Sequence, residues 1–115
     1  MLGRRRISRV NELIRHELSA LMRRELEFDL GTLVTLTRVE VSPDLEHAKA
    51  WVSVLPRGQG QDVLVHLQKK IGELQRLLNR QLVMEPVPKI RFLLDHSGAR
   101  ASHIEGLLDS LDQPG

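Results

Sequence analysis

The sequence predicts an α+β domain in which helices cover one face of a three-stranded sheet. Two long stretches repeat apolar residues at intervals of three and four, which is typical of amphipathic helices. Three shorter stretches are rich in β-branched residues and tend to alternate in polarity, which is typical of strands. Their order along the 115 residues is α-β-β-α-β, followed by a short C-terminal helix.

Length and composition favour one domain that folds without crosslinks, because 115 residues can bury a core and the chain has no cysteine. We expect a basic flexible tail over residues 1–6, a domain over residues 7–111 and a second flexible tail over residues 112–115. No apolar run approaches the roughly 18 residues that a membrane span needs. We therefore expect a cytoplasmic protein.

The first helix is expected from Ile7 to Glu25, and Ser8 and Asn11 are both candidates for its N-cap. The apolar residues of this stretch recur on one helical face: Val10, Leu13, Ile14, Leu18, Leu21 and Met22. Arginines lie outside the stripe, so the helix should turn an apolar face to the core and a basic face to solvent.

The first two strands are expected over Leu33–Val41 and His47–Leu55. Residues 42–46 have the composition of a turn, so the two strands form an antiparallel hairpin. The second strand has a strict period of two, typical of a sheet covered on one side. Its apolar face holds Ala48, Ala50, Val52 and Val54, and its other face holds Lys49, Trp51 and Ser53.

The alternation of the first strand changes phase in its middle. Val34 and Leu36 follow one phase, whereas Val39 and Val41 follow the other. One extra residue in a strand would restore a common face, so we expect a β-bulge at Thr37 or Arg38.

The second helix is expected over Asp62–Leu82, with Asp62 as N-cap and an interruption at Gly72. Its basic residues lie off the apolar stripe and should point to solvent. The stripe consists of Leu64, Leu67, Ile71, Leu74, Leu78 and Leu82. Glycine in a helix interior costs roughly 1 kcal/mol relative to alanine. It can permit a kink or the close approach of another backbone, or it can simply be tolerated; the spacing does not decide among the three.

The third strand is expected over Lys89–Leu94, because Pro86 and Pro88 end the helical pattern before it. A strand reached through a helical crossover should pair in parallel with its neighbour.

Residues 102–105 have the spacing of a capping box and predict the short C-terminal helix.

The net charge of +2 is unevenly distributed. Residues 1–24 carry +5 and residues 68–91 carry +4, whereas residues 25–67 carry −4 and residues 92–115 carry −3. Two basic segments suit a polyanionic partner, with nucleic acid the first candidate and an anionic membrane surface the second. A set of solvated helix faces with no partner is the third interpretation.

We expect the basic residues of both segments to form one surface that neutralises phosphates. The candidate RNA-binding residues are Arg4, Arg5, Arg6, Arg9, Lys69, Lys70, Arg76, Arg80, Lys89 and Arg91. Trp51 is the single aromatic residue expected on the open side of the sheet. A tryptophan in this position more often covers the sheet than stacks on a base.

Catalytic and metal-binding motifs are incomplete. His16-Glu17 begins like a zinc-protease motif, but Ala20 stands where the second histidine is needed. The run 95–97 reads Asp-His-Ser, yet adjacent residues do not form a catalytic relay. His96 and His103 have no evident third ligand for a metal. We therefore expect no enzyme activity, no cofactor, no metal and no small-molecule substrate.

Several short pieces, in this order and spacing, resemble the bacterial ribosome-binding factor A family. The pieces are Arg6–Val10, Val39–Leu45, Ala48–Val52, Gly72 with Leu77–Leu78, Val87–Phe92 and Asp95–Ser97, and the resemblance extends from about Arg6 to Leu111.

The resemblance implies a type-II KH-like fold in which an Ala-x-Gly kink divides the second helix. The corresponding residues here are Lys70-Ile71-Gly72, with lysine in place of alanine. It further implies a monomeric assembly factor, not an enzyme, that binds the free small ribosomal subunit. Such factors contact 16S rRNA, support its 5′-end processing late in assembly and matter during growth in the cold.

Overall fold

The computed structural model describes residues 3–97. Its helices and strands are α1 (Arg4–Glu25), β1 (Leu33–Val41), β2 (His47–Leu55), α2 (Gly60–Gln81) and β3 (Lys89–Leu94). A single 3-10 turn, Arg57–Gln59, precedes α2. The short helix predicted from Ser102 and the tail at 112–115 lie outside the described residues.

The three strands form one sheet in the order β1-β2-β3. β1 and β2 pair antiparallel, and β2 and β3 pair parallel. All three strands have the predicted bounds, and the α+β class with its helices on one face of the sheet is confirmed.

The predicted bulge in β1 is present. Leu36 pairs with Val52 and Arg38 pairs with Trp51, so Thr37 is the extra residue. This single insertion brings the two halves of β1 into one phase. Its apolar residues Val34, Leu36, Val39 and Val41 consequently all lie on the helix side, the last three buried and Val34 half-buried.

The core lies between the sheet and the two helices. The helices bury Ile14, Leu18, Leu21, Met22, Val63, Leu67, Leu74 and Leu78 against it. Two details of the predicted stripes were wrong. Leu13 is 44% exposed because it lies at the margin of its stripe, and Val63 is buried although it was not assigned to the second stripe.

Both helices begin earlier than the sequence suggested. α1 starts at Arg4 after Gly3, so Arg4, Arg5 and Arg6 are helical and not part of a tail. α2 starts at Gly60 after the 3-10 turn. Neither helix start has a side-chain cap.

The three predicted caps were therefore wrong. Ser8 and Asn11 lie inside α1, beyond the first turn that a cap must serve. Asp62 lies within the first turn of α2, where a carboxylate interacts favourably with the positive end of the helix dipole.

Amide side chains attach the two outer strands to the helices. Asn11 Oδ1 accepts the Val41 N–H at 2.8 Å, and Gln75 Oε1 accepts the Ile90 N–H at 2.8 Å. Gln75 Nε2 also donates to the Pro88 carbonyl at 3.0 Å. Each edge strand thus has an outward backbone N–H satisfied by a helix, and each such bond contributes about 1 kcal/mol.

α2 is continuous through Gly72 as a helix of 22 residues. A Cβ built on Gly72 would meet nothing within 4 Å, so no other backbone approaches closely there. Close approach is therefore not the reason for this glycine, whereas the kink stays a prediction.

Candidate nucleic-acid interface

The ten candidate RNA-binding cations are all exposed. In the described part of the chain, ion pairs are formed only by Arg15 with Glu12, at 2.8 Å, and by Arg24 with Glu25, at 3.0 Å. Neither pair involves a candidate, so no carboxylate of the described residues lies within 4.0 Å of a candidate's nitrogen atoms. Their charge is available to an anionic partner.

Three of the four α2 candidates share one helical face. Lys69, Arg76 and Arg80 are spaced by seven and four residues, which places them on one side of a helix of 3.6 residues per turn. That side lies opposite the buried Val63, Leu67 and Leu74, so it points away from the sheet.

Lys70 lies to the side of this basic row and is also exposed. Glu73 falls within the row by its spacing, yet it lies more than 4.0 Å from the charged atoms of its basic neighbours. The row therefore retains a net positive charge.

The α1 candidates lie at the N-terminal end of that helix. Arg4, Arg5 and Arg6 occupy its first turn, which contains no acidic residue. Cations near a helix N-terminus are unfavourable because the helix dipole is positive there. By contrast, Arg23 and Arg24 in the last turn are placed favourably. Arg4–Arg6 thus do not help the helix to form, which favours an intermolecular role for them.

Lys89 and Arg91 do not join the helical candidates, so the prediction of one continuous surface was wrong. β3 buries Ile90 and Phe92 beneath the helices, and alternation turns Lys89 and Arg91 to the opposite face of the sheet. Eight candidates therefore belong to α1 and α2, whereas Lys89 and Arg91 lie on the uncovered face of the sheet, which we call the open face.

The open face carries two cations that the predicted set lacked, Arg38 of β1 and Lys49 of β2. Lys49 of β2 is exposed and pairs in register with Arg91, and His47 pairs with Lys89 in the same way. The alternation of β2 placed Lys49 on this face, but only the register of β2 with β3 brings it beside Arg91. Sequence periodicity within one strand does not contain that information.

Trp51 lies at the centre of the open face and is half-buried. The guanidinium carbon of Arg38 lies 3.9 Å from the centroid of the Trp51 ring, in a cation–π contact. Leu93 pairs with Trp51 from the other side. The indole therefore covers this part of the sheet, and Arg38 covers the indole in turn.

The Asp-His-Ser run forms a hydrogen-bonded turn at the end of β3. Asp95 Oδ1 accepts the Ser97 N–H at 2.8 Å, and Asp95 Oδ2 accepts the Thr37 hydroxyl at 2.6 Å. Hydrogen bonds from Ser97 and from Thr37 lower the pKa of Asp95 to about 2. The bond from Thr37 connects the end of β3 to the bulge in β1.

Within residues 3–97, no group of three or more His, Asp or Glu side chains is placed to hold a metal ion. His103 lies outside those residues. In the same part of the chain, neither helix combines the length and the apolar character needed to cross a membrane.

The order of elements, the mixed three-stranded sheet and the helices on one face define a type-II KH-like domain. The family model for ribosome-binding factor A matches residues 6–108. The chain therefore belongs to the ribosome-binding factor A family.

Relatives of the same family are similar over nearly the full chain. Ribosome-binding factor A of Akkermansia muciniphila is 37% identical over 109 residues, covering 95% of this chain and 86% of that protein. The protein of Opitutus terrae is 36% identical over 109 residues, with coverage of 94% and 88%.

Solved structures of the family share the fold. The crystal structure of ribosome-binding factor A from Thermus thermophilus has a TM-score of 0.67 at 20% identity and covers 76% of this chain and 94% of its own. A homology model of the Thermus thermophilus protein, fitted into a cryo-EM map of a 30S complex, has a TM-score of 0.63 at 21% identity. That match covers 75% of this chain and 91% of the other.

Proposed function

We propose that this protein is an assembly factor that binds the free small ribosomal subunit through 16S rRNA. It acts in the cytoplasm as a monomer, late in maturation of the subunit, and assists 16S rRNA processing and growth in the cold. It performs no catalysis and uses no cofactor. Family membership supports this role, as does the related Thermus thermophilus protein fitted into a map of a 30S complex.

The observation that carries the proposal is the set of exposed, unpaired cations on the helices. Arg4–Arg6 and Arg9 on α1, together with Lys69, Lys70, Arg76 and Arg80 on α2, have no carboxylate within 4.0 Å among the described residues. Cations of this kind neutralise phosphates and release condensed counterions, which makes binding strong at low salt and weak at high salt. We include Lys89 and Arg91 as contacts from the open face.

The test is co-sedimentation with free small subunits and with complete ribosomes over a range of salt concentrations. The wild-type protein should sediment with small subunits and much less with complete ribosomes. The double variant Arg76→Ala/Arg80→Ala should bind more weakly, and the slope of log K against log salt should become shallower by roughly 1.5, since each phosphate contact contributes about 0.7 to 0.9.

The matched control is Arg15→Ala/Arg24→Ala, which removes the same charge from two arginines that already have carboxylate partners. Its salt slope should stay close to that of the wild type. An unchanged slope in the α2 variant would rule out that row as a phosphate contact, and a failure of the wild type to bind small subunits would refute the function.

Binding to an anionic membrane surface, the alternative suggested by the first helix, finds less support. It would require the apolar stripe of α1 to reach the lipid, but Ile14, Leu18 and Leu21 are fully buried in the core. Flotation with vesicles rich in phosphatidylglycerol should therefore leave the protein unbound.

A further inference from the structure

The open face of the sheet concentrates positive charge beside a flat aromatic group. Its cations are Arg38, Lys49, Lys89 and Arg91, with His47 next to Lys89. Helices cover the other face of the same sheet, so within residues 3–97 no element packs over these side chains.

The register of the strands places like charges side by side. Lys49 and Arg91 are directly paired, and neighbouring strands lie only about 4.8 Å apart. Lys89 precedes Arg91 by two residues on the same face of β3. Like charges side by side on neighbouring strands repel each other. Lys49 also has Glu40 in register on β1, but Lys89 and Arg91 have no carboxylate within 4.0 Å among the described residues, so an anionic partner would relieve the repulsion.

Among the described residues, no carboxylate on this face forms an ion pair with the cations of β2 and β3. Glu40 is paired in register with Lys49, yet their charged atoms lie more than 4.0 Å apart. Asp95 lies at the other end of the face, where it accepts hydrogen bonds from Thr37 and Ser97. Lys49, Lys89 and Arg91 are therefore exposed, and within residues 3–97 none of them has an ion-pair partner.

Arg38 and Trp51 add a planar group beside these charges. The guanidinium lies over the indole with its carbon 3.9 Å from the ring centroid, and Arg38 is exposed. Unpaired RNA bases stack on guanidinium planes and on aromatic rings. A planar stacking group next to a cluster of cations fits a nucleotide chain better than it fits an acidic protein segment, which has no base to stack.

We propose that the open face is a second RNA contact, separate from the helices, that holds a single-stranded segment of rRNA. Lys49, Lys89 and Arg91 bind its phosphates, and a base stacks on the Arg38–Trp51 pair. This inference rests on the proposed function and adds to it a second face, so that the protein touches RNA on both sides of its sheet.

The first experiment locates the RNA by photo-crosslinking on the free small subunit. A benzoylphenylalanine placed at Leu93, between Trp51 and the β3 cations, should crosslink to 16S rRNA. The same group at Glu73, within the basic row of α2, reports separately on the proposed function. A crosslink from Leu93 to a ribosomal protein, or none at all, overturns the inference, whatever Glu73 shows.

The second experiment measures the charge contribution. The triple variant Lys49→Gln/Lys89→Gln/Arg91→Gln changes only exposed side chains and should weaken binding to small subunits at least tenfold. It should make the salt slope shallower by roughly 2. The control Arg15→Gln/Arg24→Gln/Arg57→Gln removes equal charge elsewhere. It should change the affinity for small subunits and the salt slope much less than the triple variant does.

If the triple variant behaves like its control, the inference fails together with the contacts assigned to Lys89 and Arg91, while the proposed function, which the helical cations carry, stands. If the wild type itself does not bind small subunits, the proposed function fails as well. Protein-free 16S rRNA transcript separates RNA from protein as the partner: a defect of the triple variant seen on subunits but absent on the transcript would overturn RNA as the occupant.

A third readout uses Trp51, which is the one tryptophan in the chain. Titration with 16S rRNA transcript should quench its fluorescence, because a stacked base or a displaced Arg38 changes the surroundings of the indole. The quenching should be lost in the triple variant. Unchanged emission at RNA concentrations that saturate binding would overturn the stacking role.

Discussion

The two faces of the sheet differ in what their side chains contribute. On the covered face, β2 presents Ala48, Ala50, Val52 and Val54, which are all buried under the helices. On the open face, the same strand presents Lys49 and Trp51, and the neighbouring β3 adds Arg91. One strand thus serves both faces by simple alternation. Stability should depend on the first set, and recognition on the second.

The largest expected difference in stability between the two faces concerns two adjacent residues of β3. Phe92 is 3% exposed on the covered face, whereas Leu93 is half-buried on the open face. Phe92→Ala should lower the free energy of unfolding by about 3 to 4 kcal/mol through lost burial and a cavity. Leu93→Ala should lower it by about 1 kcal/mol. Urea unfolding measures both, and similar losses would refute the division between the faces.

A smaller effect on the free energy of unfolding is expected at Asp95, which lies at the end of the open face. Because its pKa is lowered to about 2, the ionised carboxylate adds stability above pH 4 that is lost as the pH falls toward 2. Asp95→Asn should lower the free energy of unfolding at pH 7 by about 1 kcal/mol, after allowance for solvent screening.

The difference between Asp95→Asn and the wild type should shrink between pH 4 and pH 2. Thr37→Val should reproduce part of the loss, because it removes one of the two groups that donate to the carboxylate. Thr35→Val is the matched control on the same strand, since no hydrogen bond from its hydroxyl is found among the described residues. A difference that does not depend on pH would contradict the assigned role of the Asp95 charge.

The smallest change in the free energy of unfolding, and one that raises it, is expected on the helices. Gly72→Ala should raise the free energy of unfolding by about 0.5 to 1 kcal/mol, because α2 is continuous there and a Cβ meets nothing within 4 Å. Thermal unfolding measures the stability of the variant, and co-sedimentation with small subunits measures its binding. A more stable variant that still binds would show that a kink at Gly72 is not required, whereas loss of binding would support the kink.

The strands were predictable because their signals are local. Each strand ends at a strong turn or proline signal, and the change of phase between Leu36 and Val39 was sufficient to place the bulge. Helix starts were less predictable. α1 and α2 both begin at residues without a side-chain cap, so the capping rules pointed to Ser8, Asn11 and Asp62 instead.

The candidate site was predictable in part. Periodicity on α2 correctly indicated that its cations face solvent, because a single helix determines which residues share a side. The separation of Lys89 and Arg91 from them, and the place of Lys49 beside Arg91, depend on how distant strands pair. Charge summed over segments has no information on which face of a sheet each residue occupies.

The amide contacts of Asn11 and Gln75 bear on whether copies of this protein stay apart. β1 and β3 are the outer strands, and a bare outer strand invites another chain to extend the sheet. Here a helix side chain already holds the Val41 amide on one margin and the Ile90 amide on the other. A foreign strand would have to displace Asn11 at the β1 edge or Gln75 at the β3 edge before it could pair with that amide, which should hinder aggregation through the sheet.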